Sequence, residues 1–107
     1  MNKKTKILCV CNQGNCRSVG TRYVLNKHGY DNVIAIGGAN TSKETLSMLC
    51  KWADMILLAK PKHKDFLPCD KDKIVDNFTI GEDVYQNPLH PDLHKVVINQ
   101  LKKIKLT

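Results

Sequence analysis

The chain has 107 residues, 42% apolar and 25% charged, with a formal net charge of +7. That length suits one domain burying roughly 60–70% of its unfolded surface and excludes two, and no apolar run approaches the roughly 18 residues that span a bilayer. A single domain over residues 1–107 with one core and one site is expected, and the charge favours acidic partners: nucleic acid, phosphorylated protein or phosphate esters.

Met1 to Lys6 is polar and basic, and the apolar run that follows is too short for a secretory segment and lacks a small-residue cleavage site. A cytoplasmic protein is therefore expected. Lys3, Lys4 and Lys6 at one end and Lys102, Lys103 and Lys105 at the other read as solvated tails. In a reducing compartment the five cysteines, Cys9, Cys11, Cys16, Cys50 and Cys69, favour catalytic or metal roles over structural disulfides.

Lys6 to Cys11 (KILCVC) is a short apolar run, as a strand buried on both faces requires. From Ser18 the period turns helical through Val19, Tyr23, Val24 and Lys27. Ser18 is the expected N-cap and Gly29 the stop, which predicts a helix over Ser18 to His28. Asn32 to Ile36 (NVIAI) is a second strand ended by Gly37 and Gly38. Thr41 with Glu44 forms a capping box before the apolar stripe Leu46, Leu49 and Cys50, in a helix running to about Lys51. Asp54 to Ala59 (DMILLA) is a third strand, and Pro61 to Phe66 a short helix started by its proline. Lys73 to Ile80 (KIVDNFTI) alternates like a fourth, outer strand. A last helix from near Pro91 is expected to bury Leu93, Val96, Val97, Leu101 and Ile104.

Strands alternating with helical segments predict a three-layer α/β domain: a four-stranded parallel sheet with helices on both faces and right-handed crossovers. Ligands in such sheets bind at the carboxyl ends of the strands, where the strand order reverses. The loop CNQGNCRS, Cys11 to Ser18, ends the first strand and opens the first helix. Five residues separate Cys11 from Arg17, enough for backbone N–H groups at Asn12, Gln13, Gly14, Asn15 and Cys16 to wrap inward around an oxyanion. Arg17 adds a planar two-donor fork. In that field a thiol is expected to shift from about 8.5 toward the range of about 3.5–7.5, which makes Cys11 a nucleophile beneath a bound phosphate. Ser18 could donate to its sulfur and ease its departure.

Cys11, Arg17 and Ser18 resemble the signature of the low-molecular-weight protein tyrosine phosphatases: a cysteine, five residues, then Arg-Ser directly after the first strand. The likeness is closest to a small bacterial and phage-type branch, in which a Trp-Ala-Asp before an apolar strand recurs, as in WADMILLAKPKHKDFL from Trp52 to Leu67. It is strong in the loop and the middle of the chain and weak after Lys73. The resemblance implies a phosphatase-like fold and hydrolysis of phosphotyrosine or another aryl phosphate through a phosphocysteine, with no metal or organic cofactor. It makes Cys16 a redox partner for Cys11. It also implies a general acid in a late loop, where Glu82, Asp83, Val84 and Tyr85 resemble the family's Asp-Pro-Tyr segment. Asp83 is then the acid, with Asp76 and Asp92 as alternatives, and Tyr85 an aromatic wall for the substrate ring. Two positions depart from the pattern: Gly14 stands where the family usually has a bracing asparagine, and Val19 where proline is common.

Other readings remain open. Cys9, Cys11 and Cys16 could form a metal cluster with His28 or Cys50, although the two-residue knuckle spacing of structural zinc is missing. Cys9, Cys50 and Cys69 otherwise read as small core or surface residues, and His28, His63, His90 and His94 as surface histidines. An arsenate reductase shares the implied fold and loop but needs a closely spaced cysteine relay, which Cys50 and Cys69 do not provide. A non-catalytic phosphate-binding or nucleic-acid-binding module would use the cradle alone, and nucleic acid is the less favoured partner.

Overall fold

Five consecutive buried residues form the central strand β1, Ile7–Cys11, which pairs in parallel with β2, Val33–Gly37, on one side and β3, Met55–Leu58, on the other. The structure is a computed structural model describing residues 3–106; Met1, Asn2 and Thr107 lie outside it, and with them the start of the basic N-terminal run. Successive β1 side chains face opposite layers. Ile7, Cys9 and Cys11 pack with Val24 and Leu25 of α1, Arg17–Lys27, and with Leu93, Val97 and Leu101 of α3, Pro91–Lys103. Leu8 and Val10 pack with Cys50 of α2, Lys43–Trp52, and with Ile56 and Leu58 of β3. Burial on both faces is why β1 is apolar without alternation.

Among the described residues the sheet has three strands in the order β2-β1-β3, not four. The expected fourth strand meets β3 only at an isolated Ile56–Ile74 bridge, after which Asp76 and Asn77 turn the chain away. Asp-Asn is turn chemistry, and it overrides the apolar alternation around it. The segment returns to β3 at Ala59, whose carbonyl accepts from the backbone N–H groups of Ile80 and Gly81. Phe78 and Ile80 are buried in the core as irregular chain.

Two helix starts differ from expectation. α1 begins at Arg17 after Cys16, with no side-chain cap, because the Ser18 hydroxyl is turned toward Cys11 instead. α2 is capped by Ser42, whose Oγ accepts from Thr45 N–H at 3.2 Å, whereas the Thr41 hydroxyl donates to Gly37 O. The short Pro61–Phe66 element is a 3-10 helix. Nor are the basic ends simply solvated tails. Lys3 Nζ donates to His28 O at 2.7 Å and lies 4.2 Å from the Tyr30 ring centroid. Lys102 and Lys103 sit in the last turn of α3, where the helix dipole favours cations.

Cys50 and Cys69 form a disulfide with Cα atoms 5.3 Å apart, contrary to the expectation of free thiols. A separation of 19 residues hides the pairing in sequence; it arises because α2 turns Cys50 inward, beneath the chain that follows Phe66. Among the described residues no helix is long and apolar enough to cross a membrane.

Gly20 lies in α1, where glycine ordinarily costs about 1 kcal/mol relative to alanine. Its use is spatial, since a Cβ there would stand 2.6 Å from Leu93 Cδ2 and 3.0 Å from Pro88 O. The close approach of α1 and α3 requires the missing side chain. Gly20→Val is expected to lower stability by about 1–3 kcal/mol through overpacking, read as a reduced urea midpoint.

Candidate active site

The first crossover runs from β1 to β2 through α1 and the second from β2 back past β1 to β3 through α2, so the strand order reverses at the carboxyl end of β1. Cys11 is the last residue of that strand and only 3% exposed. Gly14 N–H donates to its Sγ at 3.1 Å, and Ser18 Oγ lies 3.2 Å from the same sulfur. A thiol donates to Ser18; a thiolate accepts from it.

Gly14 adopts φ +77°, and a Cβ there would lie 2.5 Å from Gly37 N and 2.9 Å from Ile36 C. A side chain on Gly37 would in turn collide with the Gln13 backbone. Two glycine backbones thus meet where the loop crosses the end of β2. Two further bonds hold this contact: Asn40 Nδ2 donates to Gln13 O at 3.0 Å and Ala39 N–H to Asn12 O at 2.9 Å. The loop is braced from β2, which accounts for glycine at the position where the resembled family carries asparagine.

Arg17 is 4% exposed, with Nη1 donating to Gly81 O at 2.6 Å and Nε buried without a partner. It lines a cavity of about 440 Å³ together with Asn12 from the loop. Lys60, Lys62, His63, Asp65 and Phe66 enter from the chain after β3, and Glu82 and Asp83 from the chain after Ile80. Cys11 and Ser18 are buried and do not line it; Gln13 and Asn15 are exposed on the loop. Cys16 is buried, its thiol pushed up first by burial and then by the negative charge of Asp83.

Among the carboxylates considered from sequence, Asp83 lines this cavity. Asp76 lines a separate small one with Pro61, Lys64 and Phe78, and Asp92 sits in the first turn of α3, its N–H donating to His90 Nδ1. Tyr85 is half-buried against the core and edge-on to His90 at 5.8 Å, so Phe66 is the ring that lines the cavity. Glu82 pairs with Lys60, and that hydrogen bond holds its exposed carboxyl below the usual range. Cys9 is wholly buried, and burial pushes its thiol far up. Among the described residues no group of three or more His, Cys, Asp or Glu is arranged to hold a metal ion.

His63, read from sequence as a surface residue, is 2% exposed. Its Nδ1 accepts from the Lys60 backbone N–H at 3.2 Å, closing the turn that Pro61 starts, and its ring stacks on Phe66. A polar residue at the third position after a proline-started turn was the available signal. Burial lowers its pKa, and the charges of Arg17, Lys62 and Lys60 lower it further.

Known protein families, curated proteins and solved structures were all compared with this chain, and none matches.

Asparagine tolerates a left-handed backbone, so Gly14→Asn isolates the contact with Gly37. It is expected to cost about 1–3 kcal/mol in chemical unfolding, through overpacking at that contact. His63 supplies a pH test. Because the fold disfavours its charged form, the unfolded chain binds more protons below the ordinary value of 6.5. Unfolding free energy should therefore fall as pH drops through 6.5, despite Asp65, Glu82 and Asp83 lining the same cavity. His63→Asn should lack that component in urea titrations.

Proposed function

We propose that the chain is a cysteine-dependent phosphatase that hydrolyses phosphotyrosine or a similar aryl phosphate, in the manner of the low-molecular-weight protein tyrosine phosphatases it resembles. The observation that carries this reading is the sulfur of Cys11 held at the strand end by Gly14 N–H and Ser18 Oγ, ahead of a helix whose first residue is the buried Arg17. The unpartnered Nε of Arg17 fits a guanidinium that takes an anion.

In this reading the Cys11 thiolate attacks phosphorus as the bond from phosphorus to the ester oxygen breaks. The loop N–H groups and Arg17 hold the equatorial oxygens, where charge concentrates in the transition state. Asp83, protonated, gives its proton to the leaving phenolate. As carboxylate it then takes a proton from the water that attacks the phosphocysteine, and the sulfur leaves as a thiolate bonded by the Ser18 hydroxyl. A phosphotyrosyl protein or a small aryl phosphate is the partner. A cytoplasmic setting belongs to the same proposal. An arsenate reductase is less well supported: Cys50 packs on the opposite face of the sheet from Cys11, out of line for a relay.

Hydrolysis of p-nitrophenyl phosphate in EDTA tests the proposal. Native protein is expected to turn over and Cys11→Ser to be inactive. Asp83→Asn should lose about 10²–10⁴-fold in kcat, whereas Asp76→Asn and Asp92→Asn should keep native rates. Turnover by Cys11→Ser, or none by native protein, refutes the reading.

A further inference from the structure

Among the described residues four polar or charged side chains are buried: Arg17, Ser18, Thr21 and His63. Ser18 meets Cys11, Thr21 donates to Arg17 O within α1, and Arg17 faces the cavity. With the Thr21 hydroxyl satisfied inside its own helix, His63 is the one whose burial neither a helix bond nor the proposed chemistry accounts for. Burying an imidazole is costly unless its nitrogens are satisfied.

Nδ1 of His63 accepts the Lys60 N–H, so in the neutral ring the proton sits on Nε2. Nε2 donates to no group among the described residues, yet the residue lines the same cavity as Arg17. The ring is fixed by stacking on Phe66, with centroids 5.9 Å apart, and Phe66 packs so tightly on Gly38 that a Cβ there would strike it. One nitrogen is anchored, the plane is set, and the other N–H is left for whatever occupies the cavity.

We propose that His63 is a ligand-binding residue of this site, whose Nε2–H donates a hydrogen bond to a phosphoryl oxygen held beside Arg17. Burial and the nearby charges of Arg17, Lys62 and Lys60 oppose its protonation, so it serves as a neutral donor, although Asp65, Glu82 and Asp83 line the same cavity. The inference rests on the phosphatase reading for the identity of the substrate, while its own probe is inorganic phosphate.

Two substitutions separate binding from packing. The Asn amide reaches about as far as Nδ1, so His63→Asn keeps an acceptor for Lys60 N–H and removes the donor. The Gln amide reaches about as far as Nε2, so His63→Gln does the reverse. His63→Asn is expected to weaken inorganic phosphate binding, measured by calorimetry, by about 10- to 100-fold, the range for a hydrogen bond to a charged group. kcat/KM for p-nitrophenyl phosphate should fall in parallel, and His63→Gln should recover most of both. Equal losses in the two variants, a larger loss in Gln, or native affinity in Asn overturns the proposal. In isotope-labelled native protein the Nε2–H resonance should move as phosphate saturates, and a resonance unmoved at saturation overturns it without any variant. Native protein that binds phosphate but does not hydrolyse the ester refutes the phosphatase reading alone; native protein that binds no phosphate refutes both.

Discussion

The burial of β1 on both faces is the constraint from which the other features follow. A strand with a helix layer on each side must be apolar at every position, and Ile7 to Cys11 are all buried. Its neighbours lie on opposite sides, so the chain leaves it in one direction and returns past it in the other. Helices crossing in opposite directions cover opposite faces, because both crossovers keep the same hand. The carboxyl end of β1 is then the place in the sheet where loops diverge, and Cys11 stands there.

Three strand ends meet at the candidate site, each through backbone contacts. β1 contributes the loop itself. β2 contributes Gly37, whose missing side chain lets the loop lie directly on the sheet. β3 leads to Ala59, whose carbonyl holds Ile80 and Gly81, and Gly81 O in turn receives Arg17. The chain bearing Asp83 is therefore tied to the arginine and to the sheet, even though Asp83 itself is exposed.

Cations and carboxylates line the cavity in equal number. Arg17, Lys60 and Lys62 face Asp65, Glu82 and Asp83, but Lys60 and Glu82 are spent on each other. What remains is the buried Arg17 guanidinium with an unpartnered Nε, Lys62, the His63 imidazole and the carboxyls of Asp65 and Asp83, in a space lined by one phenyl ring.

Much was legible in the sequence because the physics there is local. The apolar run of β1, the proline at the start of α3, glycine after α1, and the spacing from Cys11 to Arg17 each state a backbone preference within a few residues. The sequence by itself therefore determined an α/β domain with parallel strands and the position of the Cys11 loop. Only the tertiary structure decided the rest. Lys73 to Ile80 had the alternation of a strand, but Asp76 and Asn77 and a single bridge to Ile56 made it irregular. The Cys50–Cys69 bond, the burial of His63 beside Arg17 and the contact of Gly14 with Gly37 join residues 19 to 46 positions apart. Such contacts are set by where crossovers bring the chain back, and no local preference encodes that return.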